Sequence, residues 1–398
     1  MEARQHLAAA RKRLDRQERR VERVEKEGRE PSEPMKVRVT LRHRERRSAR
    51  YLEMVLGWYR NRKRPRHRLP LHLKTRLINP RVALRTGTGR LTKWDAQVRA
   101  ALEKQFPDAP HFRNSILTLW EKYCDLGLPN AHFVSELSSG KNEVTLQRVW
   151  EMMLARHLVA LGYRVTTSDE GPDFRIEHAG KTIWVEAICP EPKGVPQHYL
   201  EGPKPGEVKV GDVPHNEVLL RWTAAIKQKC EKLEGYRKKG IVGAGDSYII
   251  AVNGCQLGAL PLDHGVSRFP YALEAVYPAG PIAIPVNKVT GAFGQPFVSN
   301  RPKIETAKGT PVPTTIFLDK ANSGVSAVMA FSRDRSENPL LPLDVVHNHH
   351  ASAPIPKQML GPEIEEWGTE PDGKGGINVK MLPALKVASQ TADSSDLD

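Results

Sequence analysis

The stretch from Leu146 to Pro190 limits what this chain can become more than any other part of it. It reads LQRVWEMMLARHLVALGYRV and, after a short polar link, GPDFRIEHAGKTIWVEAICP. In the first half Leu146, Val149, Trp150, Met153, Leu154, His157, Leu158 and Leu161 recur at helical spacing, which predicts a helix with one apolar stripe. Gly162 suits the C′ position that ends it. In the second half the period falls to two. Tyr163–Ser168, Phe174–Glu177 and Thr182–Ile188 read as a three-strand meander, with a tight turn at His178-Ala179-Gly180-Lys181. On the third strand Trp184, Glu186 and Ile188 share one face, and Ile183, Val185 and Ala187 the other.

Three carboxylates stand on this frame. Glu151 falls at the edge of the helix stripe, where it can face the rim of a sheet without entering the core. Asp173 opens the second strand and Glu186 lies inside the third. Because Glu186 sits between Trp184 and Ile188 on an otherwise apolar strand, its charge is costly there unless it is paired or metal-bound. Two acids flanking a hairpin connection, with a third from the helix behind, make a hard oxygen site suited to magnesium or manganese. Such an ion acidifies its water, neutralises a phosphate and orients in-line attack on a phosphodiester. The plainer alternative is a strand opener, an exposed edge-strand residue and a solvated helix residue.

These elements resemble the PD-(D/E)xK nuclease superfamily, whose restriction-endonuclease-like αβββαβ core is similar to the order read from Leu146 to Val252. Gly171-Pro172-Asp173-Phe174 resembles the PD element, and Trp184-Val185-Glu186-Ala187-Ile188 resembles the strand carrying (D/E)xK. Glu151 resembles the helical acid found ahead of the first strand in many members. The resemblance implies an α/β fold with a mixed sheet. It implies Asp173 and Glu186 as ligands of Mg or Mn, with Glu151 as a third acid. The implied activity is hydrolysis of DNA or RNA, with DNA favoured.

The chain departs from that family at Ile188, where a lysine is expected two residues after the acid. That lysine positions the attacking water and stabilises developing charge; isoleucine does neither. A basic group from elsewhere can stand in: Lys193 in the following loop, or Arg221, Lys227 or Lys229 on a helix read over Glu217–Leu233. Lys227 and Lys229 are the basic candidates for the catalytic set, beside Glu151, Asp173 and Glu186. Two alternatives stay open. The metal alone sustains a reduced rate, or the fold is catalytically degenerate and serves as a nucleic-acid-binding or scaffold domain.

The 398 residues suffice for two or three domains. Residues 1–90 hold 28 Lys and Arg against 10 Asp and Glu (+18), and the remainder holds 33 against 36 (−3). The basic character therefore belongs to an N-terminal arm, which suggests a polyanionic partner. Within the arm, residues 5–27 read as a charged helix with a thin seam of Leu7, Leu14 and Val21, and the rest reads as disordered. Residues 91–260 form a helical lead-in and the nuclease-like core. Residues 261–368 form a Pro-rich, strand-containing extension, and 369–398 a polar mobile tail. A Pro- and Gly-rich loop over 190–215 is long enough to be a functional loop over a site, and Ser247–Val252 reads as an interior strand.

The four cysteines form no CxxC pair, so neither a zinc ribbon nor a disulfide framework is indicated. No signal peptide or membrane span is read, and a cytoplasmic protein is expected. His347-Asn348-His349-His350 lacks partners at ligand spacing and reads as a polar turn. Cys189 reads as inert packing, and the glycines of 240–245 precede a strand where a phosphate loop should follow one.

Overall fold

The structure, a computed structural model, describes residues 88–382 apart from 203–206, 208–210, 260–261, 268, 362–363 and 372–376. The basic arm up to residue 87, with the helix read over 5–27, lies outside the described residues, as does the tail beyond 382.

Four helices lead in: α1 (Thr88–Gln105), α2 (Pro110–Asp125), α3 (Ala131–Leu137) and α4 (Asn142–Ala160). Proline opens α2, where its missing N–H costs nothing. Asn130 caps α3 by accepting the Phe133 N–H at 2.8 Å. Helix α4 ends as its sequence predicts. Gly162 takes φ +89°, its N–H donates to Val159 O, and the Tyr163 N–H donates to Leu158 O. That pair of bonds is a Schellman motif.

The sheet begins with β1 (Phe174–His178) and β2 (Lys181–Ile188), joined by Ala179 and Gly180 at positive φ. There follow α5 (Gln197–Leu200), α6 (His215–Lys238), β3 (Ser247–Asn253) and α7 (Tyr271–Val276). Strands β4 (Ala279–Ala283) and β5 (Phe297–Asn300) form one separate hairpin, and β6 (Lys303–Glu305) and β7 (Pro311–Pro313) another. Strands β8 (Ala327–Phe331), β9 (Asp344–His347), β10 (Glu365–Pro371) and β11 (Ile377–Met381) return to the main sheet.

That sheet has seven strands in the order β1-β2-β3-β8-β9-β10-β11. The β2–β3, β3–β8 and β9–β10 pairs are parallel, and the others antiparallel. The fold is mixed α/β. The alternation along β2 sorts its side chains between two cores. Ile183, Val185 and Ala187 pack with α1–α4, while Trp184 packs with α6 and α7. Across the first core the Trp150 indole N–H donates to Ala251 O at 3.0 Å, tying α4 to the middle of the sheet.

Two expectations need correction. The first strand of the meander shrinks to a single bridge, Thr166 with Arg175, so the core runs αββαβ and not αβββαβ. Residues 167–170 are exposed and polar and have nothing to bury on the sheet edge. Residues 369–371 and 377–381, expected to lie in a mobile tail, belong to β10 and β11, and Trp367 on β10 buries its ring against the second core. Within the Pro-rich extension, residues Ile316–Leu318 form a 3₁₀ turn. The extension divides: β8 and β9 enlarge the main sheet, while β4 to β7 stay apart from it.

Candidate acid and lysine site

Strand β2 is interior, and Glu186 on it is fully buried. The β1–β2 register pairs Phe174 with Val185. Asp173 immediately precedes β1, so continuing that register by one step would set it beside Glu186. Asp173 is fixed there by its Oδ2, which accepts the Ala187 N–H at 2.7 Å.

Helix α6 crosses this face between β2 and β3. Lys229, Lys232 and Tyr236 lie three and four positions apart, so they project from one side of the helix. All three reach Glu186. Lys229 Nζ donates to Oε1 at 2.6 Å, Lys232 Nζ to the same oxygen at 2.8 Å, and the Tyr236 hydroxyl to Oε2 at 3.2 Å. Ile188 shares this face and packs at the edge of the second core.

Glu151 comes from α4. The expectation that it stays at the rim is overturned: it is buried, with 3% of its surface exposed. Its Oε1 accepts from Gln147 at 2.9 Å and its Oε2 from Arg148 at 2.6 Å. Arg148 also pairs with Glu136 at 2.5 Å. Gln147 accepts the Cys189 N–H at 2.7 Å and so binds α4 to the end of β2.

Burial and the neighbouring Asp173 charge push the Glu151 carboxyl up to about 8, against the pull of Arg148. Burial and the Glu186 charge push Asp173 up to about 6, opposed by Lys229. Burial, then Glu186, lifts the Tyr236 phenol to about 12. Asp173 acts on Glu151, and Glu186 acts on Asp173.

Among the sequence candidates, Asp173, Glu186, Glu151 and Lys229 share this neighbourhood. Lys227 does not. It is exposed, because two residues turn a helix by about 200°. Lys193 pairs with Glu191 at 2.8 Å, and Arg221 donates to the Glu191 carbonyl at 2.8 Å. Lys232 and Tyr236 went unread, although their spacing from Lys229 was a usable signal. Cys189 is buried, its sulfur 3.3 Å from that of Cys255, with both thiols free. His347 ends β9, and the turn that follows is pinned by Asn348, which donates to Asn322 O and Val325 O.

The three acids do not form a set of ligand atoms all within 4.8 Å of one another. Among the described residues the set that does is His264, Asp344 and Glu365, a group able to hold a metal ion. Also among the described residues, no helix is long and apolar enough to cross a membrane. No family model, curated protein or solved structure matches this chain.

Proposed function

We propose that the chain is a metal-dependent nuclease of the PD-(D/E)xK kind, acting on DNA or RNA with DNA favoured, its motif lysine moved from strand to helix. The observation that carries this reading is the 2.6 Å contact from Lys229 to Glu186. Position 188 holds isoleucine, and an ammonium arrives at the acid from α6 instead.

The donor set fits a hard divalent ion in kind. The Asp173 carboxylate is held beside β2 by the Ala187 N–H and feels the Glu186 charge, and such repulsion between buried acids is what a cation relieves. Bound there, magnesium or manganese would supply a Lewis acid and an acidified water for phosphodiester attack. Asp173 and Glu186 would hold the ion, and Glu151 would add a third acid. Lys229 would orient the attacking water and stabilise charge developing on phosphate. Lys232, half exposed at the mouth of the site, would meet the nucleic-acid backbone. The basic arm adds sequence-independent attraction to the same polyanion.

A second reading has its own observation. Glu186 Oε1 is already matched by two ammonium groups, and Glu151 by Arg148. A site neutralised from within suits a degenerate nuclease fold that binds nucleic acid or serves as a scaffold without cutting it.

One experiment separates them. The full chain is incubated with magnesium or manganese and with single- and double-stranded DNA and RNA, beside Asp173→Asn, Glu186→Gln and Lys229→Ala. Cleavage lost in all three variants supports the enzyme. Binding without cleavage supports the second reading. Cleavage unchanged in all three removes the proposed site.

A further inference from the structure

We propose that His264, Asp344 and Glu365 form a second cation site, separate from the Glu186 site, which takes a borderline divalent metal ion such as zinc or iron(II). The inference does not depend on the nuclease reading. Asp344 opens β9 and Glu365 opens β10, and the parallel register pairs the two directly. Like charges opposite each other on neighbouring strands repel, and Asp344 is buried, with 3% of its surface exposed. Both acids lie on the sheet face that carries Val346 and Trp367, under α6 and α7. His264 reaches them from the segment after β3, which is held in place by a bridge to Pro270. Three separate pieces of chain thus deliver one imidazole and two carboxylates to one point.

The distances suit an ion better than a direct contact. His264 Nε2 lies 3.9 Å from Asp344 Oδ2, too far for a hydrogen bond. Two ligands on one ion with bonds of ~2.1 Å can stand up to about 4.2 Å apart. The widest separation in the set is bounded by 4.8 Å, so a contraction of under about 1 Å brings all three onto one ion. A nitrogen donor beside two oxygens favours zinc or iron(II) over magnesium and calcium, which prefer oxygen alone. Three protein ligands leave a coordination position open to water or a further ligand. The His264 side chain is 26% exposed, so solvent reaches the site.

The site is not an extension of the acid and lysine cluster. Asp344 pairs with Ala330, Ala330 with Val252, and Val252 with Ile188. Those three steps across the sheet separate it from β2 by roughly 14 Å.

The test uses the full chain stripped with a chelator and titrated with zinc and with cobalt(II), followed by calorimetry and visible absorption. The expected result is one zinc equivalent per chain whose affinity falls at least about tenfold in His264→Ala and in Glu365→Gln. Cobalt(II) should give absorption bands that both variants lose. Asp173→Asn and Glu186→Gln should keep the site, so its failure is told apart from failure of the nuclease reading. Zinc uptake in His264→Ala and Glu365→Gln equal to that of the parent chain would mean an adventitious ion only, and would overturn the proposal. No uptake by the parent chain would overturn it as well.

Discussion

The Lys229 ammonium lies 2.6 Å from Glu186 Oε1, although 43 positions separate the two residues in sequence. Only 12% of the Lys229 side chain is exposed, and none of the Glu186 side chain. The pair therefore sits where water screens it little. Lys229→Met should destabilise the fold by about 2–3 kcal/mol in urea unfolding at neutral pH. That is less than the ~3–5 kcal/mol for a buried pair broken outright, since Lys232 remains. Adding Glu186→Gln should recover most of the loss. A single variant as stable as the parent would show that Glu186 does not need this partner.

Glu151 gives a pH dependence with a definite sign. Its carboxyl titrates near 4.5 when unfolded and near 8 when folded, because burial and Asp173 disfavour its charge. The folded chain therefore holds the extra proton between those values, and stability falls as pH rises from about 4.5 to 8. Thermal midpoints of Glu151→Gln should be flatter than those of the parent chain over this range. Parallel slopes would place the titration elsewhere.

His157 works in the opposite direction. Its Nδ1 accepts the Leu341 N–H at 3.0 Å, so Nε2 carries the hydrogen and donates to Leu360 O at 2.9 Å. Burial lowers its pKa to about 4, and the unfolded imidazole titrates near 6.5. Stability from this residue is complete above about 6.5 and is lost as pH falls towards 4. His157→Gln should be less stable at pH 7 and should lose less between pH 6.5 and 4. Nuclear magnetic resonance of the imidazole would show the depressed titration directly, and an ordinary value would contradict the prediction.

The β1–β2 turn offers a stabilising change. Ala179 takes φ 50° and Gly180 φ 76°, the pattern of a two-residue type I′ turn. A Cβ at positive φ costs about 1–2 kcal/mol, which asparagine tolerates better than alanine. Ala179→Asn should raise stability by roughly 0.5–1 kcal/mol, and Gly180→Ala should lower it by about as much or more. A chain that unfolds at the same denaturant concentration after Ala179→Asn would show the turn to be unstrained.

Local pattern alone determined much of this protein. The stripe from Leu146 to Leu161, the Gly162 stop, the His178–Lys181 turn and the alternation around Glu186 were all legible, since each depends on neighbours within a few residues. A basic side chain arriving from the helix read over Glu217–Leu233 was one of several readings that the pattern left open. What only the tertiary structure decided was where distant segments meet. The rotation of α6 over β2 selects Lys229 and Lys232 and turns Lys227 to solvent. Packing of α4 buries Glu151, and the return of β9 and β10 brings His264, Asp344 and Glu365 together. Periodicity fixes the face a residue occupies on its own element. Which faces oppose each other is set by how the two cores close around the sheet, and no short window of sequence contains that.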